Sequence, residues 1–362
     1  MIQSLEMLLE IDGSMGEGGG QILRNAVTLS AVLLKPIKIK NIRVKRSNPG
    51  LRPQHLTAVK AVATLASAEV SGLSVGSLEI TFKPMKRLQG GTHRFDAGTA
   101  GSTTLMLQSL MPTMCFTSGP VFIELRGGTN NPMAPPVEYL QQVLLPVIRE
   151  AGGRFEIDLV KRGFYPRGGG IVKVESKPVD RLKPIRLVDF KGVKKIRGLS
   201  YSCRLPGHIV ERMAKTVETI LGDEGYDVDI IREALQPNDP KCSLDPGCGI
   251  VLFAELNDGP VIGVDKLGEK GVPAEKIGEE ASRELLEEIE RSAPVDRHLG
   301  DQLVIWACLA DGVSEYRVTN LTQHTLTSLE LCRIFTNKDV KVDGAEGEPA
   351  KITIEGVGLK RG

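Results

Sequence analysis

Two hydrophobic periods alternate along the chain, one of about two residues and one of about 3.6, and their order predicts the elements. A short apolar run, Leu8–Ile11, leads into a glycine cluster and then into helix-spaced apolar positions over Gln21–Leu34. An alternating basic stretch, Ile37–Val44, predicts a strand, Pro53–Ala68 a second helix and Leu78–Phe82 a further strand. The succession then returns. From near His93 the loop Phe95–Ser102 precedes a helix over Thr103–Met111 and a strand over Val121–Leu125. Pro136–Ala151 places Leu140, Val143, Leu144 and Val147 on one helical face, and strands Phe155–Val160 and Gly170–Val174 follow. A third copy reads as the acidic amphipathic stretch Glu279–Arg291, helix His298–Ala310, strand Glu315–Thr319, helix Thr325–Phe335 and strand Ala350–Glu355.

A unit of about 80–90 residues therefore occurs three times. Two helices and a few strands cannot enclose their own apolar faces, so the units are expected to pack helices-inward around a pseudo-threefold axis. Between the second and third copies lies a segment that fits neither, entered at Pro178 and Pro184 and left at the turn-rich Gly268–Pro273. Inside it Lys195–Arg204, Val228–Leu235, Ile250–Glu255 and Val261–Val264 read as strands, and His208–Leu221 as a helix with Ile209, Met213, Val217 and Ile220 on one face. The fold class is α/β (α+β), with three repeated two-helix, four-stranded units and a smaller inserted α/β domain. The expected boundaries are a large domain over residues 1–183 and 279–362, interrupted by residues 184–278.

Composition adds limits. With 362 residues, 41% hydrophobic, 25% charged and a net charge of +1, the chain reads as a soluble globular protein rather than one that coats nucleic acid non-specifically. The total hides local basic groups: Lys35, Lys38, Lys40, Arg43, Lys45, Arg46 and Arg52 fall close together, as do Lys83, Lys86 and Arg87. Either group serves as a solvated face or as an anion site. No apolar run approaches the roughly 18 residues of a membrane span, and no secretory pattern opens the sequence, so a cytoplasmic location is expected. Six cysteines show no Cys-x-x-Cys or zinc spacing and are expected as free thiols.

Candidate chemistry begins at Gly13–Arg24, Gly-Ser-Met-Gly-Glu-Gly-Gly-Gly-Gln-Ile-Leu-Arg. Glycines between a strand and a helix let backbone N–H groups approach an anion. No Gly-Lys-Ser/Thr closes the loop, so it is not a Walker A motif. Glu17 within the glycines and Arg24 one to two turns on suit a metal and a phosphate. His324 lies at a strand-to-helix junction in Leu-Thr-Gln-His-Thr-Leu-Thr, where hydroxyls can cap the helix; a structural histidine is the competing reading. His298 opens His-Leu-Gly-Asp-Gln-Leu, which projects Asp301 and Gln302 from the first turn of a helix. Arg52, Gln54 and His55 start another helix behind Asn48-Pro49-Gly50, as a phosphate or ribose contact or as a polar cap. The loops Arg126–Pro136 and Gly163–Gly170 are too polar and turn-laden for packed core.

In combination these motifs resemble the RNA 3′-terminal phosphate cyclase family. The set is Gly-x-x-Gly-Glu-Gly-Gly-Gly-Gln-Ile-Leu-Arg, Arg-Pro-Gln-His-Leu-Thr-Ala, Gly-Gly-Thr-Asn-x-Pro-x-Ala-Pro-Pro, Gly-Phe-Tyr-Pro-Arg-Gly-Gly-Gly and His-Leu-Gly-Asp-Gln-Leu, in that order across nearly the whole chain. The resemblance implies a ligase that uses ATP and Mg²⁺ or Mn²⁺ to convert an RNA 3′-phosphate into a 2′,3′-cyclic phosphate, through a histidine-bound AMP and an RNA-adenylate. It places the adenylated histidine on His324 and nucleotide contacts on Gln108, His298, Leu299, Gly300, Asp301 and Gln302. It makes Glu17 a metal ligand and Arg24 a phosphate clamp, and puts Arg43, Arg52 and His55 beside the RNA end. Asp301 is expected, from charge alone, to orient the His324 ring. Ser328, where relatives usually carry Asn, and Gly300, commonly Ala, depart from the family pattern.

The main alternative is a non-catalytic, cyclase-like RNA-binding protein of ribosomal RNA processing; such proteins lack the nucleophilic histidine, and His324 counts against it. Enolpyruvyl transferases share a similar three-unit fold but not these motifs. A homodimer is compatible with the sequence.

Overall fold

In Ile37–Lys40 the alternation puts both isoleucines on the buried face and leaves both lysines half-exposed, and these four residues form a strand in the computed structural model, which describes residues 8–361. Residues 1–7 and 362, assigned above to the large domain, lie outside that range. The strand ends at Lys40 rather than Val44 because Asn41 and Arg43 take positive φ, 57° and 56°, which turns the chain. Its neighbours in the first sheet are Leu9–Asp12, parallel to it, and Ile80–Lys83, antiparallel, with Glu69–Ser71 at the far edge.

The same order recurs twice. In the second sheet Gly91–Asp96 lies parallel to Val121–Gly127, which pairs antiparallel with Gly170–Lys177, and Arg154–Lys161 closes the edge. In the third, Arg186–Leu187 lies parallel to Val313–Val318, followed by Ala350–Glu355 and Val340–Asp343. Each parallel pair is bridged by a helix: Gly20–Leu33, Thr103–Met114 and Arg297–Leu309. The helices bury their apolar faces together. Gly20–Leu33 packs on Pro53–Ala66, Thr103–Met114 and Gln323–Thr336, and one continuous core runs through all three units.

The inserted sheet runs Val228–Leu235, Val193–Cys203, Gly247–Leu256, Val261–Leu267. It has a core of its own, shared with helices His208–Asp223 and Ala274–Glu290. The acidic amphipathic stretch read as the start of the third unit thus buries Ile277, Ala281, Leu285 and Ile289 in the insert, and the third unit opens instead on Arg186–Leu187, ahead of it.

One helix is irregular. Val137–Tyr139 continues into a wider π stretch, Leu140–Leu144, before Leu145–Glu150 resumes the α form, and the Leu145 N–H reaches back five residues to Leu140. Pro146 has no N–H for the carbonyl four residues behind it, which favours such a widening.

Candidate active site

Gly20, the first residue of the first helix, is where two elements meet. A Cβ there would stand 2.5 Å from His55 Nε2 and 3.1 Å from an Arg24 guanidinium nitrogen, so only glycine lets both side chains lie against the helix start. His55 is buried. Its Nδ1 accepts the Arg52 N–H at 3.0 Å, which leaves Nε2 as the protonated nitrogen of the neutral ring. Burial, then Arg24, Arg43 and Arg52, push its pKa down to about 3. The ring is therefore a neutral donor throughout the physiological range.

Because the folded value lies below the ordinary value near 6.5, His55 contributes stability that is present above that pH and is lost as pH falls towards 3. His55→Gln keeps an acceptor for the Arg52 N–H, and its melting temperature should fall less than that of wild type between pH 7 and pH 5. Equal falls would show that other groups set the acid limit.

The glycine loop ahead of this helix presents Glu17 to solvent. One carboxylate oxygen, Oε2, lies 3.1 Å from an Arg46 nitrogen and 3.6 Å from His324 Nε2. His324 is the second residue of helix Gln323–Thr336, and the Thr322 hydroxyl caps that helix by accepting the Thr325 N–H at 3.1 Å, as the hydroxyl-rich sequence implied. The cap fixes the backbone, and the ring is left half-exposed facing Glu17. Two loops some 300 positions apart in sequence thus meet at one imidazole.

Behind them the first helices of all three units converge. Gln21 and Asn25, Gln108 with Met111 and Pro112, and Asp301 and Gln302 with Trp306 line a small cavity of about 20 Å³. Gln21 Nε2 donates to Asp301 Oδ2 at 2.8 Å and to Ser328 Oγ at 3.1 Å, and Asn25 Nδ2 donates to the same hydroxyl at 2.9 Å. Burial raises the Asp301 pKa to about 6, while His324, His298 and Arg24 work against that rise. Among the described residues Asp301 accepts from Gln21 and not from His324, so it acts on the imidazole as a nearby charge. Packing lowers the Arg24 pKa to about 10, with Asp301 opposing, and leaves a cation at neutral pH.

The remaining expected residues divide. Arg52 is exposed beside His55. Arg43 spends one nitrogen on the carbonyls of Asn48 and Gly50, both at 2.8 Å, and so shapes the loop that leads to Arg52. His298 is exposed, but Leu299 belongs to the core and Gly300 packs on Val318. The N–H groups of Leu299 and Gly300 are taken up by the Asp296 side chain and carbonyl, so these two back the helix from inside. Gln302 Oε1 is buried without a partner. Among the described residues no cluster of three or more His, Cys, Asp or Glu side chains is arranged to hold a metal ion. A single carboxylate such as Glu17 still fits Mg²⁺ carried on phosphates, because that ion keeps waters and takes few protein ligands.

Gln21 and Asn25 were given no role in the sequence, and Arg46 was read only as one of a basic group. Gln21 and Asn25, four apart on a largely apolar helix, carried a signal, since a polar pair at that spacing shares one face. Asp265, from the insert, also lies close to His298; burial raises its pKa to about 6 and His298 opposes the rise. A larger cavity, about 770 Å³, sits on the outer face of the second sheet among Arg94, Phe122, Glu124 and Lys173, and none of the site residues lines it. No helix among the described residues is long and apolar enough to cross a membrane.

Comparison with known proteins gives one answer. A family described as RNA 3′-terminal phosphate cyclase matches residues 15–342. Proteins named RNA 3′-terminal phosphate cyclase from Staphylothermus marinus and Ignicoccus hospitalis are each 47% identical to this chain, over 97% and 98% of it and 99% and 100% of their own lengths. A third of that name, from Desulfurococcus amylolyticus, is 46% identical over 98% of the chain and 99% of its own length.

Proposed function

Because the chain belongs to the RNA 3′-terminal phosphate cyclase family, we propose that it is a ligase-type enzyme that uses ATP to close an RNA 3′-terminal phosphate into a 2′,3′-cyclic phosphate, with His324 carrying AMP between the two. The observation that supports this reading best is the meeting of His324 and Glu17 at 3.6 Å, with Arg24 and Asp301 close behind. A neutral imidazole is a good nucleophile near pH 7, and its cation is a good leaving group.

In the first step the His324 ring nitrogen turned to Glu17 donates its electron pair to the α-phosphorus of ATP, and the bond from that phosphorus to the bridging oxygen breaks to release pyrophosphate. In the second an oxygen of the RNA 3′-phosphate attacks the same phosphorus and the N–P bond breaks, returning His324. In the third the adjacent 2′-hydroxyl attacks the activated 3′-phosphorus, loses its proton and expels AMP. Arg24 holds phosphate oxygens, and the nucleotide lies against Gln108, His298, Asp301 and Gln302, with Leu299 and Gly300 supporting that helix. Asp301 stabilises the imidazolium character that develops on His324. Glu17 would hold Mg²⁺ or Mn²⁺ together with the phosphates, and such an ion supplies charge neutralisation there. The reaction takes place in the cytoplasm, and a homodimer is compatible with it.

Arg52, exposed at the start of the helix that carries His55, receives the terminal phosphate of the RNA, in a loop ordered by Arg43. RNA ending in a 3′-phosphate, incubated with the protein and ATP, should become resistant to phosphatase. Arg52→Ala should slow that conversion at least about tenfold, as expected for a charged hydrogen bond, while leaving the AMP loading of His324 within twofold of wild type. Equal loss of both steps would contradict the division of labour, and an RNA end that stays phosphatase-sensitive with wild-type protein would overturn the function itself.

A further inference from the structure

Asp296 caps the helix that carries His298, Asp301 and Gln302, and it is fully buried. Its Oδ1 accepts the N–H groups of His298 and Leu299, both at 2.9 Å, and the Tyr139 hydroxyl at 2.6 Å. Its Oδ2 accepts the N–H of Gly263 at 3.0 Å. Four donors from three parts of the chain therefore converge on one carboxylate: the capped helix, the irregular helix of the second unit and strand Val261–Leu267 of the insert. An ordinary N-cap needs only the first of these.

The packing around it is equally close. A Cβ on Gly263 would stand 2.6 Å from Val143 and 2.8 Å from the Tyr139 ring, so the insert's strand lies directly on the π stretch. The next residue of that stretch, Leu144, lines the cavity shared by Gln108, Asp301 and Gln302. A π-widened turn at such a point is a common mark of a functional site.

We propose that Asp296 and Tyr139 are positioning residues through which the inserted domain sets where Asp301 and Gln302 stand, an inference that rests on the nucleotide reading of that helix given above. Asp301 lies one turn beyond the His298 and Leu299 amides that Asp296 holds. A shift of Gly263 or Tyr139 therefore moves the cavity wall without touching the nucleotide.

Tyr139→Phe removes one hydroxyl from a position that stays buried, and Gly263→Ala forces the strand outward. Both should weaken ATP binding by full-length protein about tenfold or more, with the half-saturating RNA concentration within twofold of wild type. Amide exchange at residues 298–302 should quicken by a similar factor in both, with exchange in Ala350–Glu355 unchanged. Ile352→Val, buried in the third sheet, serves as the destabilised control and should leave ATP binding unaltered. Asp296→Ala belongs to the set only if it folds. Variants that lose melting temperature while ATP binding and exchange at 298–302 match wild type would overturn the proposal and leave Asp296 a structural cap. Should wild-type protein bind no ATP, the functional reading fails, and the exchange arm still decides whether the insert holds this helix.

Discussion

His324→Ala protein incubated with ATP labelled at the α-phosphate will carry no acid-labile AMP, or will acquire it slower than wild type by roughly 10⁴-fold or more, as when a nucleophile is deleted from its catalytic unit. The N–P bond of a phosphoramidate breaks in acid and survives base, so lability identifies the atom that was loaded. Glu17→Ala is the informative contrast. It leaves the imidazole in place and removes the carboxylate 3.6 Å away, so labelling should slow but recover in part as Mn²⁺ is raised. Label that survives in His324→Ala would move the nucleophile elsewhere. Glu17→Ala labelling that ignores the metal concentration would make Glu17 a partner of Arg46 alone.

The second large effect is on stability and lies away from the reacting groups. Arg162 is wholly buried between the second unit and the insert: its Nη2 donates to Glu138 Oε1 at 2.5 Å, its Nε to Glu233 Oε1 at 2.8 Å, and its guanidinium carbon sits 4.2 Å from the Tyr201 ring centroid. Burial opposes the charge, but the two carboxylates outweigh it and hold the guanidinium pKa above its usual value. Arg162→Met should destabilise the protein by about 3–5 kcal/mol, because Glu138 is left as an unpaired buried charge; Glu233 retains Lys241 at 2.6 Å. Adding Glu138→Gln should recover part of the loss in urea denaturation. A single mutant that unfolds at the wild-type urea midpoint would mean that water replaces the guanidinium.

Arg162 also marks where sequence reading stops. It sits immediately before the loop Gly163–Gly170, whose glycines and aromatics drew attention, and nothing in its own neighbourhood distinguishes it from a surface arginine. Its partners come from positions 24 residues before and 71 after. Periodicity served well where an element buries one face over many residues, as in His208–Asp223 or Arg154–Lys161. It could not show Arg186–Leu187, since two residues hold no alternation. Nor could it say what covers the apolar face of Ala274–Glu290, because amphipathicity requires a buried side without naming its partner. Motif residues followed the same rule. Glu17 and Arg24 drew attention because a carboxylate among glycines and an arginine just beyond them are unusual for their setting, whereas the role expected of His324 came from the family resemblance and not from its junction. Gln21 and Asn25 became meaningful only once helix Arg297–Leu309 and Ser328 stood opposite them.

The strand order shared by the three sheets has a further consequence. In the first two units the step from the opening strand to the bridging helix is a short turn, after Asp12 and after Asp96; in the third it is the whole inserted domain, between Leu187 and Arg297. One socket in the scaffold therefore accepts either a few residues or an independent cored module, since both ends of the excursion are fixed by the same parallel strand pair. That makes the third unit's junction the natural place to exchange or graft a module and the turn after Asp96 a further port, while the matching turn after Asp12 is already taken up by Glu17.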